Sequence, residues 1–369
     1  MIARTILAVA VLTVITNPVR AGRTAPAPVP GPAPAPLAAA PSAGPSAQDT
    51  PPPCTDWRTR HPEWLFCDDF ESNAPLRSPE RYFEYGDAGG DFVPLDGAGL
   101  AGSRGMRTRF REGAVGAGGM KLAFGRNPNG YMRSSIRPDE DFREIWYRQD
   151  LRMQPGWVGN PAKLSRATIF TEPDDWSQAM IAHLWSDGAD HLLLDPVRCI
   201  DEQDRVKCRG YNDFEHMSWL GYKPGETPIF STAQSGRWFA VEAHVRLNDP
   251  GQSNGVHEFW IDGRLEARRE GLNFVGGYTD YALNAIFFEN YWNDGSPQDQ
   301  ERYFDNIVVS TEPIGDLHGT SPDPTTVPST TPSAADATPT PTIPPAPRPS
   351  ASPTTTPTAL IFLPLASRP

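Results

Sequence analysis

The sequence predicts an all-β sandwich held between two proline-rich arms. Three observations carry that prediction. Through residues 54–316 apolar and polar residues alternate, with Gly, Asn, Asp or Pro breaks every 8 to 15 residues, which is the pattern of antiparallel strands. No long segment has a helical period and no unit repeats, so a sandwich or barrel is expected. Proline is segregated, with 26 of the 41 prolines lying outside residues 54–316. The arms that hold them cannot bury enough apolar surface to fold, so they are expected to be disordered.

Taken in order, residues 1–21 read as a secretory signal peptide. Arg4 supplies the positive start, Thr5 to Thr16 the apolar stretch, and Val19-Arg20-Ala21 a small-x-small cleavage site. The stretch is too short for a comfortable membrane span. Residues 22–53 form a Pro/Ala linker with 11 prolines in 32 residues, extended and semi-rigid. Residues 54–316 are the folding segment. Residues 317–369 are a Thr/Pro/Ser tail like a glycosylated stalk or wall spacer. Its apolar end, Ala359 to Ala366, is too short to span a bilayer and lacks a sortase-type Leu-Pro-x-Thr-Gly motif. The protein is expected outside the cell, with no span left after signal cleavage and with the tail available for association with a cell surface.

Within the folding segment, Glu144 to Met153 places Ile145, Tyr147, Leu151 and Met153 on one face and Trp146, Arg148, Asp150 and Arg152 on the other. Trp238 to Leu247 alternates likewise, with Glu242, His244 and Arg246 on its polar side. His257 to Arg269 reads as a hairpin turning at Asp262-Gly263, a strong short-range hairpin signal. Leu283 to Asn290 and Tyr303 to Ser310 are further strands. The four cysteines fall into two local pairs, Cys54 with Cys67 and Cys199 with Cys208. Three connectivities exist in principle, and the two local bridges are favoured because each closes a short loop. Neither pair has the Cys-x-x-Cys spacing of a zinc or thioredoxin-like site.

The formal charge is −12, and the arms contribute five Arg and three Asp, so the folding segment carries −14. An acidic domain is a poor general binder of nucleic acid, though it can hold a local basic cleft.

Three segments together resemble a concanavalin-A-like jelly-roll β-sandwich of two antiparallel sheets. They are Leu65-Phe66-Cys67-Asp68-Asp69-Phe70-Glu71, Glu258-Phe259-Trp260-Ile261-Asp262-Gly263, and the closing Tyr303-Phe304-Asp305-Asn306-Ile307-Val308-Val309-Ser310. The resemblance covers residues 62–316. Within that superfamily the motif order is most similar to the alginate and glucuronan lyases. Tyr147-Arg148-x-Asp150-Leu151-Arg152 occupies their central-strand position, and Ala162-Lys163-Leu164-Ser165 resembles the loop that carries their catalytic lysine. The Ser-x-Arg and Tyr-x-Tyr pairs of those lyases have no clear counterpart in Ser177 to Asp195.

The resemblance implies a secreted polysaccharide lyase that cleaves a uronic-acid polymer by β-elimination in a groove on the concave sheet face. That chemistry needs cationic or amide donors on the uronate carboxylate, a base for the C5 proton and an acid for the leaving O4. Lys163 matches the family's catalytic lysine. His183 is a candidate base and Tyr291 a candidate acid. Trp146, Arg148 and Arg152 share a strand face and suit an anionic sugar through stacking and bidentate pairing. Arg166, His244, Asn290 and Trp292 complete the candidate substrate-binding set. No cofactor is required by this reading. Asp69, Glu71 and Asp305 gather near the paired terminal strands as candidate ligands of a structural Ca²⁺. A glycosidase is disfavoured, since neither Asp68-Asp69-Phe70-Glu71 nor Asp139-Glu140-Asp141 matches a paired-carboxylate strand motif. The alternative is a noncatalytic carbohydrate-binding, lectin-like module, which needs only the Trp, Tyr and Arg groove. The expected partner in either case is a polysaccharide, anionic for the lyase.

Overall fold

The computed structural model describes residues 52–128, 136–173 and 175–317. The expected signal peptide, all but the end of the linker, and all but the first residue of the tail lie outside the described residues. In chain order the strands are β1 (Trp64–Asp68), β2 (Glu84–Gly86), β3 (Phe92–Leu95), β4 (Gly105–Phe110), β5 (Gly116–Ala123), β6 (Glu144–Met153), β7 (Lys163–Phe170) and β8 (Gln178–Ser186). They continue as β9 (Leu192–Arg198), β10 (Ser218–Trp219), β11 (Lys223–Pro224), β12 (Trp238–Arg246), β13 (Gly255–Ile261), β14 (Arg264–Leu272), β15 (Ala285–Tyr291) and β16 (Gln300–Ser310). No helix among the described residues is long and apolar enough to cross a membrane.

The strands form two antiparallel sheets of eight, the jelly-roll sandwich that the sequence predicts. The first sheet runs β14-β13-β12-β6-β16-β4-β3, with β1 also paired to β16. The second runs β10-β9-β8-β7-β15-β5-β2, with β11 also paired to β9. Strand β16 ties the first sheet together. Its residues Gln300 to Phe304 pair with β4, its later residues pair with β1, and β6 runs along its other edge. The register slips between Asp305 and Val308 against β6, where Asn306 takes a left-handed φ of 48°. The expected pairing of opening and closing strands is present, with Trp64 opposite Ser310 and Cys67 opposite Val308.

Each sheet turns one side chain set inward, as a period of two requires. Ile145, Tyr147, Leu151 and Met153 of β6 and Phe239, Val241, Ala243 and Val245 of β12 join Leu164, Ala167 and Ile169 of β7 and Met180, Ala182 and Leu184 of β8 in one core. The hairpin between β13 and β14 turns on Asp262 and Gly263, at φ 52° and 76°. A two-residue hairpin turn of this hand needs positive φ at both positions, and Asp and Gly tolerate it best. Both local disulfides form, Cys54–Cys67 and Cys199–Cys208.

The first sheet's outer face uses up several residues expected to bind substrate. Arg148 is buried and ion-paired to Asp150 at 3.0 Å, and it also donates to the carbonyl of Gly315. Trp146 stacks flat on His244, with centroids 4.1 Å apart. His244 is in turn bracketed by Glu258 at 2.7 Å and Glu144 at 2.9 Å. The Arg152 guanidinium lies over the rings of Tyr303 and Trp238, at 4.4 and 5.0 Å. The Glu242 carboxylate accepts the backbone N–H groups of Ile314 and Gly315 at 2.9 and 3.0 Å, so residues 311–317 are strapped to this face. Contrary to expectation, Trp146, Arg148, Arg152 and His244 therefore do not stand beside Lys163 but form a cross-strand ladder on the other sheet. The reason is topological: β6 and β12 belong to one sheet and Lys163 to the other.

The expected calcium ligands accept hydrogen bonds from the protein itself. Asp69 accepts from the N–H of Glu71, Glu71 accepts from the N–H of Arg104, and Asp305 accepts from Leu100 N–H and the Ser103 hydroxyl at 2.7 and 3.0 Å. No cluster of three or more metal-ligating side chains occurs among the described residues.

Phe304 is fully buried in the strand that both halves of the first sheet share. Phe304→Ala should lower stability by about 3–5 kcal/mol, read as a reduced urea midpoint with an unchanged slope. A loss under about 1 kcal/mol would show that the core is not packed around this ring.

Candidate functional site

The second sheet's outer face is organised by strand register. One row runs across six strands: Glu84 on β2, Lys121 on β5, Phe287 on β15, Arg166 on β7, His183 on β8 and Asp195 on β9 are successive partners. The adjacent row carries Tyr291, Lys163 and Trp185, again as register partners. Glu289 stands between the rows on β15.

Strict alternation would put Lys163 and Arg166, three residues apart, on opposite faces. A bulge prevents this. Lys163 is opposite Trp185 and Ser165 is opposite Leu184, so β7 carries one extra residue there. Bulges re-aim side chains in this way. As a result Lys163 and Arg166 both reach the ring of Tyr211, at 5.9 and 4.4 Å.

Arg166 is completely buried. Its guanidinium pairs with Glu289 at 3.3 Å, donates to the Asn212 side-chain carbonyl at 3.2 Å and lies over Phe287 at 4.7 Å. The Tyr211 hydroxyl donates to the same Glu289 oxygen at 2.7 Å. Burial pushes the Glu289 carboxyl up, but Arg166, Lys163, the Tyr211 hydrogen bond and Lys121 outweigh it and hold the group below the usual carboxylate range. Lys121 is paired with Glu84 and lies over the rings of Trp176, Phe287 and Tyr211.

Lys163 is only 6 % exposed, yet its amine makes no hydrogen bond or ion pair among the described residues. It faces aromatic rings instead, Tyr291 at 4.4 Å and Trp185 at 5.6 Å. Burial pushes this amine below the ordinary lysine range; Glu289 opposes the shift and Arg166 adds to it. Burial and the neighbouring cation thus both weaken the hold of this amine on its proton.

His183 is on the expected face but fully buried. Its Nδ1 lies 3.0 Å from the Asp195 carbonyl, which can only accept, so Nδ1 carries the proton. Nε2 then offers a lone pair and has no partner. Burial, with Arg166 adding, holds the ring neutral by pushing its pKa well down. Trp185 and Trp219 lie against the ring, at 3.8 and 5.9 Å. His183 is therefore corrected from a base that meets substrate to a neutral group buried beside these two tryptophans.

Two other expected residues point inward. Asn290 bonds Arg302 at 2.6 Å and Thr108 at 3.1 Å inside the sandwich, and Trp292 packs among Phe110 and Trp157 in the core. Of the expected set, the structure brings together Lys163, Arg166, His183 and Tyr291. It adds Glu289, Tyr211, Asn212, Lys121 and Trp185. Alternation along Glu289-Asn290-Tyr291-Trp292 was the available signal for Glu289, since it must share a face with Tyr291 and not with Asn290. Tyr211 and Asn212 lie in the loop that follows the Cys199–Cys208 bridge, and nothing in their local sequence announces a role.

No protein-family model and no curated protein sequence matches the chain. Its fold is similar to solved structures of polysaccharide lyases. An endo-β-1,4-glucuronan lyase from the fungus Trichoderma reesei shares 13 % identity over 68 % of this chain and 96 % of its own, with a TM-score of 0.46. An alginate lyase from Aplysia kurodai shares 13 % over 68 % of this chain and 99 % of its own, with a TM-score of 0.45. An alginate lyase from Chlorella virus shares 11 % over 60 % and 89 %, with a TM-score of 0.42.

The Arg166–Glu289 pair predicts a pH dependence. The depressed Glu289 pKa contributes stability above the unfolded value of 4.5, and that stability is lost as pH falls through the lower folded value. Glu289→Gln should cost about 3 kcal/mol at neutral pH, because it leaves Arg166 buried without its counter-charge. It should also flatten the acid limb of a stability–pH profile. An unchanged acid limb would show that Glu289 is not held ionised by this cluster.

Proposed function

We propose that the chain is a polysaccharide lyase cleaving a uronic-acid-containing polymer by β-elimination on the outer face of the second sheet. The observation that carries this reading is the buried, unpaired Lys163 amine, set beside Arg166 and facing Tyr291. Lys121 and Arg166 are each paired with an acid, Glu84 and Glu289, so while Lys163 holds its proton this part of the face carries a net positive charge, which suits the arrival of a uronate carboxylate.

In this reading Lys163, whose hold on a proton is weakened by burial and by Arg166, takes the C5 proton in its uncharged form. The released electron pair forms the C4–C5 double bond as the C4–O bond breaks. Tyr291 delivers a proton to the departing oxygen. Arg166 is too buried to touch the sugar and acts through its field on the charge that develops at the carboxylate. Glu289, Tyr211 and Asn212 hold Arg166 in place. The working site is extracellular: residues 1–21 read as an export signal, and the two disulfides suit an oxidising compartment.

The test is ultraviolet absorbance from unsaturated uronate ends, with alginate, glucuronan and glycosaminoglycans as substrates. At least one polymer should give the signal, and Lys163→Ala should lower the rate by about 10²–10⁴-fold. Activity surviving that substitution would remove Lys163 from the chemistry. No signal from any polymer, with glycan binding retained, would establish the noncatalytic binding module instead.

A further inference from the structure

Beyond the cationic end of the site, the second sheet's face changes character. Trp185 extends from Lys163 toward β10, where Trp219 lies 6.3 Å from it. Phe214 then stacks nearly parallel to Trp219, with centroids 6.3 Å apart and planes inclined by 11°. Trp219 and Phe214 are 44 % and 46 % exposed, unusually open for large rings. They sit on the loop and short strand that follow the Cys199–Cys208 bridge, as does Tyr211. The ledge is thus continuous with the Lys163 site through Trp185 and fixed by the same loop.

The charge at this end also differs. The register row that runs through Lys121 and Arg166 ends at Asp195, opposite His183. The Asp195 carboxyl makes no hydrogen bond or ion pair among the described residues, and His183 beside it is neutral. Burial pushes the Asp195 carboxyl up to about 7, so this end offers a uronate no counter-charge, and Asp195 repels one when ionised. An uncharged sugar would lay its C–H face on the rings and meet no opposing charge.

We propose that Trp185, Trp219 and Phe214 form a binding ledge for an uncharged sugar ring, so that the substrate is a heteropolysaccharide in which a uronate adjoins a neutral sugar. This rests on the lyase reading for the position of the uronate, while the ledge itself rests on the rings and on Asp195.

The test compares two sets of oligosaccharides of equal length on the full chain. Hyaluronan oligosaccharides alternate glucuronate with N-acetylglucosamine, and polyglucuronate oligosaccharides carry a carboxylate on every ring. Binding is measured by calorimetry, and cleavage by ultraviolet absorbance. The wild-type chain should bind the alternating series more tightly. Trp219→Ala should shrink that preference by about tenfold, the size of one lost ring stack. Trp219→Phe should largely restore it, with unchanged circular dichroism in both variants. A wild-type preference for polyglucuronate, no binding of either series, or a preference unaltered in Trp219→Ala would overturn the proposal. If the preference behaves as expected but neither series is cleaved, the ledge stands and the lyase reading loses support. If cleavage occurs while Trp219→Ala leaves the preference intact, the ledge alone fails.

Discussion

The burial of Arg166 is the constraint around which the second sheet's outer face is arranged. A guanidinium holds its proton tightly, so burying one is costly unless hydrogen-bond acceptors, and best a counter-charge, are supplied. Glu289 on the neighbouring strand supplies the charge, and Asn212 supplies an acceptor. Tyr211 then satisfies Glu289 and covers the guanidinium with its ring. The loop after the Cys199–Cys208 bridge, which brings Tyr211 and Asn212 over the sheet, belongs to the same solution. Lys163 sits within the reach of this pair but has no acid of its own, and its unpaired amine is the consequence.

The two outer faces of the sandwich solve opposite problems with similar residues. On the first sheet, Arg, Glu, His and Trp satisfy one another across β6, β12 and β13, and the segment at 311–317 is clamped onto Glu242 and Arg148. Such mutual satisfaction stiffens a sheet face and leaves few donors for a ligand. On the second sheet, cations outnumber acids at one end, an unpaired acid lies at the other, and exposed rings border it. That imbalance is what separates a site from a surface.

Much of the fold was legible. Alternation gave the strands, Asp262-Gly263 gave a hairpin because few other residue pairs accept positive φ twice in succession, and the short Cys–Cys intervals gave both bridges. The site was legible only in part. Alternation tells which residues share a face of their own strand, but it does not tell which sheet the strand joins. Arg148 and Lys163 therefore looked like neighbours although they stand on opposite sides of the molecule. The bulge at Leu164–Ser165 leaves no compositional mark, so the shared face of Lys163 and Arg166 emerged only from pairing. Tyr211 reaches Arg166 from 45 residues away along the chain, through a loop whose path depends on tertiary packing.

The central claim is that a uronate carboxylate binds over Lys163 on the second sheet. The most direct measurement is a crystal structure of the chain with a uronic-acid oligosaccharide bound. A uronate ring with its C5 facing the Lys163 amine and the C4 oxygen of the same ring toward Tyr291 is the expected result. An oligosaccharide lying on the first sheet, against Trp146 and His244, would contradict it.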